Sequence, residues 1–216
     1  GVNTIGEGAF SGCSNVAKFV IPDSVTNIGK SAFKGCEGEL VLNVDVANVA
    51  SGADSIFYGS KFSNVTVGAG VSEIGDYAFS GCNTIQSIEL GADVTTIGKY
   101  AFNECTSLGS VAVPKAVTTI GAAAFKGCLA LADVTFAEES LLGEISEESF
   151  SGCSSIKSVA IPALVTAIGD SAFYGCVALE AVNIPAGVKS IGEAAFWGDS
   201  AIATVTFAEE SVLDSI

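Results

Sequence analysis

The side chains of this chain best suited to chemistry are seven cysteines, which recur at regular intervals. They follow one another at steps of 23, 25 or 46 residues, as Cys13, Cys36, Cys82, Cys105, Cys128, Cys153 and Cys176. A cysteine nucleophile needs a neighbouring base, and a zinc site needs ligands that converge from several directions. The chain contains no histidine. Cysteines at a single repeated position also do not converge from several directions on one point. The spacing therefore does not favour a catalytic or metal-binding role for these thiols.

Three structures remain open for the thiols: disulfides between neighbouring units, a metal site, or a buried column of free side chains. Cysteines on neighbouring units would be close enough to bridge. However, side chains that point the same way oppose the disulfide dihedral angle of about 90°. Cysteine packs well as a small apolar residue in a close-packed interior. The buried column of free thiols is therefore the favoured interpretation.

Glutamates form three adjacent pairs, Glu138–Glu139, Glu147–Glu148 and Glu209–Glu210. The first and third pairs occupy the same place in a repeated segment, which favours exposed turn residues over an acid–base pair. No Gly-x-Ser-x-Gly elbow, glycine-rich phosphate loop or EF-hand spacing occurs. The sequence thus predicts no catalytic residue, no metal site and no cofactor.

Charge and composition exclude two classes of partner. The 216 residues include 24 acidic side chains against nine basic ones, all lysine, for a net charge of −15. Without arginine or a basic stripe, nucleic-acid binding is not expected, since phosphate neutralisation supplies most of that affinity. Hydrophobic residues make up 49% of the chain, but no apolar run of about 18 residues occurs. We therefore expect a soluble chain that does not insert into a membrane.

The cysteines belong to a repeat unit of 23 or 25 residues that covers the whole chain. Its consensus is Ile-Pro-x-x-Val-Thr-x-Ile-Gly-x-x-Ala-Phe-x-Gly-Cys-x-x-Leu-x-x-Val-x, and all four prolines share one position. One isoleucine position recurs as Ile5, Ile28, Ile74, Ile97, Ile120, Ile145, Ile168, Ile191 and Ile216, with Ser51 expected in the missing place. The phenylalanine position recurs as Phe10, Phe33, Ile56, Phe79, Phe102, Phe125, Phe150, Phe173 and Phe196. Gly59 and Asp199 are expected to complete the cysteine column.

The elements that would position these columns follow from the spacing within one unit. The alternating segment Leu-x-x-Val-x-Ile predicts a short strand, and the proline after it ends that strand. Val-Thr-x-Ile-Gly predicts a second short extended stretch, and Gly-x-x-Ala-Phe-x-Gly-Cys predicts about one helical or 3₁₀ turn. One unit cannot bury its apolar face alone, whereas stacked units can. Nine stacked units would form a rod about 40 Å long.

The unit resembles the BspA-type leucine-rich repeat, also called the Treponema pallidum-type repeat, over essentially all 216 residues. Departures from the pattern are the degenerate unit around residues 45–67, Glu104 in a glycine position, and Thr-Phe-Ala-Glu-Glu-Ser at 135–140 and 206–211. The resemblance implies a leucine-rich-repeat solenoid of about nine rungs over residues 1–216. It also implies an extracellular or cell-surface protein that takes part in adhesion or interaction rather than catalysis.

Two outward columns on the strand face are candidates for partner binding. One is expected to read Lys18, Val41, Asn64, Ser87, Ser110, Asp133, Ser158, Ala181 and Thr204. The other is expected to read Val20, Asn43, Thr66, Glu89, Ala112, Thr135, Ala160, Asn183 and Thr206. Ser87, Glu89 and Ser110 mark the centre of this face. Small side chains also suit a crowded sheet without any partner, and this second interpretation is favoured because aromatic and arginine anchors are absent there.

Aromatic pairs give a second candidate surface. Tyr77 and Tyr100 share one repeat position, and Tyr174 and Trp197 share another, so each pair should stack. An exposed Tyr–Trp pair is the better anchor for a protein or glycan partner, although partial burial against the next rung is an equal alternative. Tyr58 is expected to replace a capping glycine.

Two further features bear on binding. Asn64-Val65-Thr66 is the N-glycosylation sequon of the chain, and a glycan on Asn64 would cover part of the strand face. Both ends fall near the isoleucine position, and no signal peptide or capping segment is evident. We expect a segment of a longer array, or copies that stack end to end. The alternative function is therefore a structural solenoid that forms filaments.

Overall fold

The computed structural model describes residues 1–46 and 55–215, which form a stack of short parallel strands. In chain order the strands are β1 (Thr4–Ile5), β2 (Lys18–Ile21), β3 (Asn27–Ile28), β4 (Glu37–Leu42), β5 (Lys61–Val67), β6 (Glu73–Ile74), β7 (Ser87–Glu89), β8 (Thr96–Ile97), β9 (Ser110–Val113), β10 (Thr119–Ile120), β11 (Asp133–Phe136), β12 (Glu144–Ile145), β13 (Ser158–Val159), β14 (Ala167–Ile168), β15 (Ala181–Ile184), β16 (Ser190–Ile191) and β17 (Thr204–Phe207). In these two ranges there is no helix, and so none that could cross a membrane.

The longer strands form one continuous parallel sheet, which we call the long sheet. Its order is β17-β15-β13-β11-β9-β7-β5-β4-β2, so each repeat unit adds one strand. Burial alternates along most of these strands, as in Ser110–Val113, where the first and third residues are exposed and the others buried, whereas all four residues of β17 are exposed. This alternation follows from the two-residue period of an extended chain. The inward valines and isoleucines form one wall of the core.

Beside the long sheet, the other described strands, each of two residues, form three separate short ladders. Their orders are β1-β3, β6-β8-β10 and β12-β14-β16. Ile97 pairs with Ile120 and Ile145 pairs with Ile168, but β10 and β12 are not paired. We call the interval between Ile120 and Ile145 the open junction.

The segment before each cysteine is a chain of turns, so the expected helical turn is wrong. Its amides alternate between local and inter-rung bonds. Ala78 and Ser80 donate to carbonyls three residues back, whereas Tyr77 and Phe79 donate to Lys99 and Ala101 in the next rung. A helix would need consecutive amides to bond within the segment. Left-handed φ angles of 58° at Tyr77 and 74° at Gly81 redirect the chain instead.

Stacked phenylalanines fill the centre of the core. From Phe79 to Phe196 the rings of neighbouring rungs lie 5.3–5.5 Å apart and within 9° of parallel. The five rings from Phe79 to Phe173 are fully buried. The stack places these rungs in the same rotational setting, which aligns the outer side chains that follow the rings.

The degenerate unit has a different register from the one its spacing predicts. Phe57, not Ile56, stacks between Phe33 and Phe79 at 5.4 and 4.8 Å. Ser60 rather than Gly59 takes the cysteine position, because its amide donates to the Phe57 carbonyl as Cys82 donates to Phe79. Gly59, at φ 66°, takes the left-handed glycine position.

The isoleucine position of that unit is filled by Val46, which bridges Ile74 and accepts a hydrogen bond from the Gly75 amide at 2.9 Å. The expected occupant, Ser51, lies outside the described residues. Val46 comes earlier in the sequence than a constant repeat length predicts, because turns of variable length separate the columns.

The outward columns of the strand face also shift at their N-terminal end. Lys18 pairs with Glu39, not Val41, and Val20 pairs with Val41, not Asn43. Leu40 follows Cys36 by four residues, whereas Ile88 follows Cys82 by six. The shortened segment brings the strand forward by two residues, and a register irregularity at Gly38–Glu39 absorbs the difference.

Candidate functional site

Tyr174 and Trp197 form an exposed aromatic stack on the outer surface of the turns, which we call the aromatic edge. Their ring centroids lie 4.9 Å apart at an interplanar angle of 19°. Trp197 is 63% exposed and Tyr174 is 39% exposed. The alternative of partial burial against the neighbouring rung applies to Tyr174, which packs against Trp197, whereas Trp197 is mostly exposed.

The turn geometry accounts for this placement. Tyr174 follows the buried Phe173, and its amide donates to the Ser171 carbonyl within the same turn. Trp197 follows Phe196 in the same way and donates to Ala194. Since neighbouring phenylalanines stack inside, the residues after them must stack outside. The alignment of the pair is therefore set by the turns and by the phenylalanine stack beneath it.

Tyr77 and Tyr100 stack as the sequence predicts, with ring centroids 5.0 Å apart and an interplanar angle of 4°. Both occupy left-handed turn positions, at φ 58° and 54°. Serine, alanine and glutamate occupy the same position in other rungs, so the conformation belongs to the repeat. These rings are half-buried and offer less surface than the aromatic edge.

Tyr58 does not replace a glycine, because Gly59 keeps that position. It lies in the same column as Tyr174 and follows Phe57 in the corrected register. The Lys34 ammonium lies 5.7 Å from its ring centroid, a cation–π contact. This contact lies at the opposite end of the stack from the aromatic edge.

The strand-face candidates lie together, but in a shallow polar surface. Asn64 Nδ2 donates to Ser87 Oγ at 2.6 Å, and Ser87 pairs with Ser110 on the next strand. A groove of about 270 Å³ is lined by Glu39, Asn64, Ser87, Glu89 and their neighbours. Asn64 is exposed. The strand face supplies hydrogen-bond groups without an apolar anchor.

The cysteine thiols form a buried and unreactive column. All seven cysteines are free; Cys13 is half-buried and the other six are buried. Burial raises the pKa of Cys82 to about 11 and that of Cys176 to about 12. Thiols with such pKa values are neutral at pH 7, whereas the thiolate is the nucleophile and metal ligand. Over residues 1–46 and 55–215, no group of three or more His, Cys, Asp or Glu could hold a metal ion.

A cleft of about 550 Å³ lies beside the open junction, and we call it the junction cleft. Its walls include Phe136, Leu141, Pro162 and Leu164. The segment Thr135–Ser140 lengthens this turn, and its end bonds to the preceding rung through Leu141 N and Lys115 O at 3.1 Å. Leu141 and Leu164 are exposed. The 25-residue step in the sequence signals this cleft, but sequence reasoning did not identify it as a surface.

Comparisons with known proteins agree with this architecture. The family model described as the BspA type leucine rich repeat region matches six copies, over residues 1–50, 43–141 and 139–216. The search of curated proteins finds no match.

Solved structures with the same fold come from several bacteria. A leucine-rich repeat protein of Bacteroides ovatus is 26% identical, with a TM-score of 0.65 over 100% of this chain and 66% of that one. The T. pallidum leucine-rich repeat protein is 24% identical, with a TM-score of 0.55 over 94% of this chain and 73% of that one. The pneumococcal vaccine antigen PcpA is 18% identical, with a TM-score of 0.62 over 97% of this chain and 57% of that one. The chain thus spans less than two thirds of the Bacteroides protein.

Proposed function

The chain belongs to the BspA-type leucine-rich repeat family, and on that basis we propose that it is a non-catalytic interaction protein of the cell surface or extracellular space. It binds a protein or glycan partner and serves adhesion. Supporting this location, a structural relative is described as a vaccine antigen. The neutral, buried thiols support a role without catalysis.

The observation that carries the proposal is the exposed stack of Tyr174 on Trp197. Aromatic side chains that are rigid before binding lose little entropy on contact and dominate many binding interfaces. A tryptophan that is 63% exposed is a large apolar surface for a soluble protein. The polar strand face would contribute hydrogen bonds around the contact, whereas the aromatic edge would be the anchor.

A binding assay against immobilised extracellular-matrix proteins and cell-surface glycoproteins tests this function. We expect Tyr174→Ala with Trp197→Ala to weaken binding by tenfold or more, since hot-spot aromatics contribute about 2 kcal/mol or more. The matched control is Tyr77→Ala with Tyr100→Ala, which removes the half-buried stack and should leave affinity within about threefold of the wild type.

Each outcome of that assay bears on the proposal. Unchanged binding by the first double variant would exclude the aromatic edge as the contact surface. Loss of binding in the control alone would transfer the site to Tyr77 and Tyr100. Failure of the wild-type protein to bind any of these partners would overturn the adhesion proposal itself.

A second candidate function is end-to-end assembly into filaments. It is favoured by the long sheet, in which each strand pairs with its neighbour in parallel, so that a second copy could continue the same strand order. Electron microscopy and sedimentation test it: filaments would support the candidate, and a stable monomer would exclude it.

A further inference from the structure

The buried thiols have a structural task in common, which is to donate a hydrogen bond to the rung before. Cys105 Sγ donates to the Phe79 carbonyl at 3.3 Å, and Cys176 Sγ donates to Phe150 at the same distance. The same bond recurs at 3.0–3.4 Å for the other buried thiols, Cys36, Cys82, Cys128 and Cys153. The column is therefore a column of donors, not only of small apolar side chains.

Asp199 occupies this column in the rung that carries Trp197. It is 8% exposed, and neither carboxyl oxygen has a hydrogen-bond partner. Its column partner in the rung before is Cys176, and the carbonyl that a donor at position 199 would reach is Phe173 O. An ionised carboxylate has no hydrogen to donate, so it cannot make the hydrogen bond that the cysteines of this column donate to the rung before.

The neighbours of Asp199 compensate for its charge only in part. The amides of Gly175 and Cys176 already donate to Trp197 and Phe173, at 2.9 and 3.0 Å. The titratable group that faces Asp199 from the rung before is the neutral thiol of Cys176, while Asp170 and Glu193 are exposed on the outer turns. Burial raises the pKa of Asp199 to about 7, and the two amides offset only part of that rise.

We propose that Asp199 is a proton-dependent donor that closes the rung of Trp197 when protonated and loosens it when ionised. The protonated carboxyl takes the place of a thiol and donates to the Phe173 carbonyl. Ionisation removes that donor and leaves a buried charge next to the Cys176 side chain. This inference does not depend on any binding partner.

The direction of the pH effect follows from linkage. The unfolded chain releases the Asp199 proton near pH 4, whereas the folded chain keeps it until about pH 7. The folded state therefore binds one proton more in this range, and stability falls as pH rises through it. Below about pH 4 both states are protonated and the contribution is constant.

Trp197 is the single tryptophan of the chain and lies two residues from Asp199, so its fluorescence reports on this rung. Urea unfolding followed by this signal at pH 5 and pH 8 tests the proposal. Between pH 5 and pH 8, we expect the unfolding equilibrium constant of the wild type to rise by up to about a hundredfold more than that of Asp199→Asn. The amide of asparagine donates at every pH. The control Asp133→Asn removes an exposed carboxylate and should follow the wild type.

Two further measurements keep the test decisive if asparagine disturbs folding. Asp199→Cys restores the residue type of the column and should also remove the extra pH dependence. Carbon-13 NMR of the Asp199 carboxyl in the wild-type protein should titrate near pH 7. An ordinary titration below pH 5, or equal pH dependence in the wild type and both variants, would overturn the proposal.

Discussion

Two junctions between neighbouring rungs use the same motif and are held together differently. At the regular junction, Ile97 pairs with Ile120, and the Gly121 amide donates to the Ile97 carbonyl at 2.8 Å. At the open junction, Ile120 and Ile145 are not paired. Two other connections continue across it: β11 pairs with β13, and Phe125 stacks on Phe150 at 5.5 Å.

The difference comes from one residue type and one turn length. A Cβ atom at Gly121 would lie 2.6 Å from Lys99 N, so only glycine allows the rungs to approach there. At the open junction the corresponding residue is Ser146, and the turn before it is two residues longer than in its neighbours. The short ladder thus depends on glycine and on turn length, whereas the long sheet and the phenylalanine stack do not.

The largest expected effect is at Phe125, the ring that spans the open junction. Phe125→Ala should cost about 3–5 kcal/mol of stability, since it leaves a cavity in a close-packed stack. Because one ladder is already missing there, we also expect urea unfolding to separate into two transitions. Circular dichroism together with hydrogen exchange measures both effects.

The matched control for Phe125 is Phe102→Ala, which lies at a regular junction. It should cost a similar amount but leave a single transition. Two transitions in both variants, or one in both, would contradict the claim that the open junction is the weaker of the two.

An intermediate effect is expected from placing a side chain in the short ladder. Gly121→Ala should cost about 1–3 kcal/mol, as overpacking against backbone atoms does. Gly143→Ala is the control, because a Cβ there meets open space and its φ is not in the left-handed region. It should change stability by less than about 1 kcal/mol. Equal losses in thermal unfolding would show that the close approach at Gly121 is not the cause.

The smallest expected effect is a gain from closing the open junction. Deleting Glu138 and Glu139 together with Ser146→Gly should allow one further ladder bond, worth about 1 kcal/mol. The exposed ion pair between Lys115 and Glu139 is lost, which costs little. Hydrogen exchange at the residue-146 amide should become slower, and Ser146→Gly alone should not achieve this. Unchanged hydrogen exchange at this amide in the shortened variant would show that turn length and Ser146 do not cause the missing pairing at the open junction.

The repeat made most of this fold predictable from the sequence. Period, strand direction, the inward columns and the stacking of Tyr174 on Trp197 all follow from residues that recur at one position. The predictions for Ile56 and Gly59 were wrong because they assumed a fixed period across turns whose length varies. Only contacts such as the stacking of Phe57 between Phe33 and Phe79 establish the register there.

Other features depend on bonds between rungs that local sequence does not encode. The turn before each cysteine has helix-compatible residues, but alternate amides donate to the next rung. The exposure of Trp197 and the missing partners of Asp199 likewise depend on what the neighbouring rung offers. The two 25-residue steps are visible in the sequence, but the cleft at Leu141 and Leu164, which lies beside the first of them, required the structure.

The sameness of the regular junctions has a consequence for how such a chain can evolve. The facing sides of the regular rungs are alike, as the repeated pairing of Ile74 with Ile97 and of Ile97 with Ile120 shows. A duplication or loss of 23 residues therefore joins surfaces that already match, and the gene can change length by whole units without disturbing the interior. A domain with a single central core has no such freedom.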